Sequence, residues 1–362
     1  VRLLLLLLVA LACATARAPR APAGEDPAAL TFREGDVVTP APLDAELAGK
    51  NDEELFAIGT AAYAAGDHAR AAAAFERVAD LFPASRHRAT ALYDAGLAER
   101  QLERWDRALE RFRQLADGWA GPDADEARFF VAEGLYRTGR HAEARAELEA
   151  LAARSDLGAA QHVRALVERG VIELEDGELD LAERSLKLGA AAWQLAAERE
   201  RLDAAQAAKA QFYLGEVGRA RFQAVRLDPA GDEAGLAARL EEKAQLLLSA
   251  QGHYLRAVRA GDGGWAVAAG ARVGELYEEL HAHLVEAPLP AGLDEEAATA
   301  YREALRERVR VLVAKAVVAY EETLSAARRA GVDNAFVPRA EEALRRLRKI
   351  LAEDAGRDTV GG

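Results

Sequence analysis

The side chains able to do chemistry are present in this sequence but do not converge. Of the seven histidines, only His281 and His283 are close, and two residues apart they point to different faces of a helix. Glu279 and His283 do share a face, yet two ligands fall short of the roughly three or four that hold zinc. Gly261-Asp262-Gly263-Gly264 lacks a preceding strand and the lysine of a phosphate loop, so it reads as a turn, not a nucleotide cradle. There is no serine elbow and no nucleophile beside a base. The expectation is a chain with no catalytic residue, no metal and no cofactor, whose work is binding.

The elements that would carry a binding surface are repeated. In Asp52 to Ser85, Gly59 and Ala71 bracket a turn at Gly66-Asp67, with Leu55 and Ile58 before it and Phe75, Val78 and Pro83 after it. The small pair returns as Gly96 and Ala108, Ala132 and Ala144, and Gly170 and Ala182. A large residue follows each alanine by four positions: Phe75, Phe112, Leu148 and Leu186. Residues four apart share a helix face, so each unit is a helical hairpin that closes through small residues, Gly59 facing Ala71. The intervals from 59 to 96, 132 and 170 are 37, 36 and 38 residues, against ~34 for the commonest unit of this kind. Longer connections at Pro83-Ala84-Ser85 and at Trp119 to Asp123 account for the excess.

These residues resemble the tetratricopeptide repeat (TPR) family over about residues 52 to 190, and the run of FP-x-S followed by small-x-x-Tyr-x-x-Gly resembles repeats of bacterial envelope proteins and lipoproteins. The resemblance implies an all-α fold, an α-solenoid of TPR-type helical hairpins. It also implies that first-helix positions five, nine and twelve face a protein ligand. Phe56, Tyr63, Tyr93, Arg100, Phe129 and Tyr136 occupy such places here, residue types in which interfaces concentrate their energy. The alternative packs some of them, Phe129 and Tyr136 foremost, against a neighbouring helix.

The second half departs from the repeat. Gln211-Phe212-Tyr213-Leu214-Gly215 restarts the pattern without a complete partner, and the helices lengthen. Leu227-Asp228-Pro229 ends one helix. Gly235 to Arg259 forms the next, with Leu240, Ala244, Leu247 or Leu248, Gln251 and Leu255 on its stripe. Trp265 to Leu284 follows and stops at Ala287-Pro288-Leu289-Pro290. Asp294 to Arg329 is a helix of about 36 residues, apolar nearly all round its centre and so clasped by neighbours. Pro338 to Asp354 caps the array, with Arg345, Arg346, Arg348 and Lys349 near its end complementing the helix dipole.

Composition agrees with close-packed helices: 51% of residues are hydrophobic but only 6% aromatic, and alanine favours helix. A net charge of -13 argues against nucleic acid, which needs a cationic surface. Arg2 followed by Leu3 to Leu11 reads as a secretory signal over residues 1–16, too short to span a bilayer. Two cleavage routes stay open: Leu11-Ala12-Cys13 resembles the lipobox of bacterial lipoproteins, which would lipidate Cys13, and Ala14-Thr15-Ala16 is a plain small-x-small site. As Cys13 is the single cysteine, no disulfide forms within the chain.

The expected organisation is a signal over 1–16, an Ala/Pro-rich tether over 17–50, four repeats over 51–190, longer helices over 191–354 and a disordered tail over 355–362. Asn51 and Glu54 are placed to cap the first repeat helix. The expected role is a non-catalytic scaffold in the periplasm, tethered to the outer membrane if Cys13 is lipidated, with envelope proteins or peptide segments as partners. The alternatives are a part of a secretion, motility or outer-membrane assembly machine, or a subunit of a peptidoglycan-associated enzyme.

Overall fold

The computed structural model describes residues 42–198, 202–227, 233–287, 289 and 293–360, and all its regular structure there is helical. The expected signal, Cys13, the tether up to Ala41, Asp228-Pro229, Pro288 and Pro290 lie outside the described residues. Two compact units divide the chain between Glu147 and Leu148. The first holds α1 (Pro42–Leu47), α2 (Asp52–Ala64), α3 (His68–Leu81), α4 (Arg88–Gln101), α5 (Trp105–Gly118), α6 (Pro122–Arg137) and most of α7 (His141–Ala152). The second holds α8 (Ala159–Glu175), α9 (Leu179–Ala197), α10 (Ala204–Ala224), α11 (Glu233–Arg259), α12 (Gly263–Val285), α13 (Glu295–Ala330) and α14 (Phe336–Val360).

Hairpins α2/α3 and α4/α5 close as the small residues require, and the large residue four positions beyond the alanine makes the tightest contact. Phe75 covers Gly59: a methyl group there would lie 2.6 Å from the ring. Phe112 covers Gly96 at the same distance, and in α8/α9 Leu186 covers Gly170 at 2.7 Å with the Ala182 carbonyl oxygen at 3.2 Å, the expected small pair meeting there. Glycine is thus required to seat a large side chain from sixteen residues on, and even one methyl would overpack the site.

Four turns in the repeat region share one backbone. Asp67, Arg104, Arg140 and Glu178 each donate an N–H to the carbonyl five residues back, at 2.8 to 2.9 Å. This is a helix ending that requires a left-handed residue just before the donor. Gly66, Gly139 and Gly177 supply it, with φ between 77° and 81°; Glu103 takes the same place at 57°. The capping box of α2 forms as expected, Glu54 N–H donating to Asn51 Oδ1 at 2.9 Å and Asn51 N–H to Glu54 Oε2 at 3.0 Å. Order begins before it: Leu47 of α1, within the expected tether, is buried in the core of the first hairpin.

In the second unit the restart at Gly215 does have a partner. Tyr254 of α11 lies over Gly215, and Tyr320 of α13 over Gly274, so α10/α11 and α12/α13 repeat the same closure across longer helices. The buried stripe of α11 runs through Lys243, Leu247, Ala250, Tyr254 and Ala257, while Leu248 and Leu255 face solvent. The expected stripe was misplaced because a lysine belongs to it. Lys243 Nζ donates to the carbonyls of Phe222 at 2.6 Å and Val225 at 2.7 Å, closing the end of α10. In α13, Val309, Val313, Ala316 and Tyr320 are buried but Val311 and Val318 are half exposed, so the helix is covered on one side and not clasped all round.

Helix α14 continues to Val360, through residues expected to form a loose tail. The basic run therefore lies within the helix and not at its end. Glu278 accepts from Arg346 and Glu321 from Arg348, so ion pairing rather than the helix dipole accounts for those two charges. Between α10 and α12, buried Arg272 meets Glu216 at 2.9 Å and Arg219 meets Glu275 at 3.3 Å. Charges that deep are retained only where opposite charge meets them.

Candidate functional site

The residues expected at a binding face lie on α2, α4 and α6 of the first unit. Phe56 is half buried, edge-on to Phe75 with centroids 5.5 Å apart and stacked on His87 at 4.5 Å. Tyr63 packs edge-on to His68 at 5.1 Å. One repeat later Tyr93 touches Phe112 and Phe130, at 6.1 and 5.9 Å. Arg100 binds Glu133 of α6 through two N–H donors at 3.0 and 3.2 Å, and its guanidinium lies 5.3 Å from the centre of the Phe130 ring. Tyr136 stacks on His141 at 5.0 Å.

The structure thus joins Tyr93 and Arg100 through Phe130 and Glu133, neither of which the sequence had picked out. Phe129 does not share that surface: it is 3% exposed. Adjacent helical residues point about 100° apart, and in the pair Phe129-Phe130 the outer one is Phe130. Two consecutive phenylalanines carry no sequence signal for which is which. Packing against Phe112, stacked on Phe130 at 4.7 Å, decides it.

A second residue that sequence reasoning passed over is Asp94 of α4. It is half buried, and it makes no hydrogen bond or ion pair among the described residues. Burial alone pushes its carboxyl up to about 6. Glu76 of α3 shows the contrast: burial also raises its carboxyl, but Arg111 lies 3.2 Å away and offsets part of that cost.

Glu279 accepts from Arg219 at 2.9 Å and from Gln223 at 3.0 Å, and the His283 ring lies against Phe222. No group of three or more His, Cys, Asp or Glu side chains among the described residues is placed to hold a metal ion. A cleft of about 690 Å³ lies beside the C-terminal ends of α10 and α12, lined by Gln223, Arg226, His283 and Glu286 among others. Burial and the nearby Lys243 ammonium push the His283 imidazole down, which leaves one weak base with no nucleophile beside it. No described helix is long and apolar enough to cross a membrane.

Residues 55–85, 93–159 and 135–197 match models of the tetratricopeptide repeat family. No curated protein sequence matches the chain at a significant level. Among solved structures, a tetratricopeptide repeat protein from Parabacteroides merdae is similar at 14% identity, over 82% of this chain and 98% of its own, with a TM-score of 0.40. The apo form of RapI aligns at 11% identity over 83% of this chain and 99% of its own, with a TM-score of 0.46. A Rap protein complexed with Competence and Sporulation Factor aligns at 15% identity over 83% and 75%, with a TM-score of 0.38.

Proposed function

Because residues 55–85 and 93–197 of this chain are tetratricopeptide repeats, we propose that it is a non-catalytic scaffold that binds other proteins in the bacterial cell envelope. The observation that carries the reading is the half-buried row of Phe56, Tyr63, Tyr93, Phe130 and Arg100 on α2, α4 and α6. The rings are already fixed against their neighbours, so binding a peptide across them costs little side-chain entropy. The first helices that carry them are held by the Gly59 and Gly96 closures. The envelope location rests on the apolar run Leu3 to Leu11 and on Cys13, and the tether that follows suits a membrane anchor.

Photo-crosslinking in the cell tests the scaffold reading. A crosslinking amino acid at position 93 should give discrete protein adducts, and one at Leu248, on the solvent face of α11, should not. Adducts at 248 alone, or at neither position, would refute the binding face. The location is tested by Cys13→Ala, which should move the protein from the membrane fraction to the soluble periplasm. Unchanged retention would rule out the lipid anchor.

A further inference from the structure

Asp94 lies two residues before the closing glycine of its hairpin, Gly96. The corresponding residue of the next repeat is Phe130, two before Ala132, and that of the fourth repeat is Glu168, two before Gly170. Phe130 shows what surrounds this position: Tyr93, Phe112 and Arg100, all from the preceding repeat. Stepping those three back by the 37-residue interval gives Phe56, Phe75 and Tyr63. The register therefore places the Asp94 carboxyl beside two phenyl rings and a phenol, where Arg100 has no counterpart to neutralise it. Glu168 shows what a carboxylate at this position takes when it is satisfied. Burial works against its charge, but the Lys209 ammonium 2.6 Å away holds its carboxyl below the usual range.

From this juxtaposition we propose that Asp94, framed by Phe56 and Tyr63, receives the ammonium or guanidinium of a Lys or Arg side chain on an extended segment of a partner protein. This rests on the scaffold reading above and adds the partner's chemistry. An unpaired carboxylate away from bulk water gains from an incoming cation. A net charge of -13 favours approach of a basic segment.

The test pans a random heptapeptide phage library against the full chain and against Asp94→Asn, which keeps the shape and removes the charge. Wild type should enrich Lys or Arg at one fixed position by about fivefold or more, the size of a partly buried ion pair, and Asp94→Asn should not. Enriched peptides without a basic position, or a basic preference that persists in Asp94→Asn, would overturn the proposal and leave the scaffold reading standing. No enrichment by either protein would overturn both. Hydrogen-exchange protection of α2 to α5 in Asp94→Asn, equal to or above that of wild type, shows that any lost preference is not unfolding.

Discussion

Replacing Asp94 by Asn should make the first unit more resistant to opening at neutral pH, by an amount that depends on pH in a defined way. The folded carboxyl titrates at about 6 against an ordinary 3.8, a difference of about two units, or about 3 kcal/mol as a ceiling. Because Asp94 is half buried, solvent screening leaves about half of that, about 1.5 kcal/mol. The folded state favours the protonated form. Its contribution to stability is therefore full below pH 3.8, falls as the pH rises toward 6 and is gone above it. Asn does not titrate, so wild type should lose stability relative to Asp94→Asn across that window and stay level beyond it. Hydrogen exchange of the α4 amides reads this locally, and comparing the two proteins at each pH cancels the intrinsic exchange rates. The ratio of wild-type to variant exchange should grow about tenfold between pH 4 and pH 7. A ratio that is flat with pH, or that falls, would refute the isolation of this carboxyl and with it the vacancy offered to a partner's cation.

Three further substitutions probe what holds the hairpins. Gly96→Ala puts a methyl 2.6 Å from the Phe112 ring and should destabilise the first unit by about 1–3 kcal/mol; the double change with Phe112→Leu should recover part of it in urea denaturation. Glu103→Gly removes a side chain from a left-handed position, φ 57°, and should stabilise by about 1 kcal/mol, raising the urea midpoint without changing the slope. Lys243→Met strips two carbonyls of their donor and should cost about 2–4 kcal/mol, seen as faster exchange in the last turn of α10.

Much of the repeat region is legible because its constraints are local and recur. A glycine sixteen residues before a phenylalanine or leucine, with a left-handed turn between, fixes hairpin and register together. The tightest contact on the glycine comes one helical turn beyond Ala71, from Phe75, because the small residue seats a large ring. Past residue 190 the same closure recurs at Gly215 and Gly274, but 39 and 46 residues separate each glycine from its tyrosine. Over such distances helix length and loop length trade against each other, and no fixed spacing remains to be read.

The sequence by itself determined the helical class, the hairpin unit and the capping box at Asn51, since each follows from neighbours within about one or two helical turns. Only the tertiary structure decided that Phe130 rather than Phe129 meets Tyr93, that Lys243 belongs to a buried stripe, and that Asp94 lacks the counter-charge Glu168 has. Those outcomes depend on which side chains of other helices arrive at a position, and a residue's own type carries no record of its neighbours across the fold.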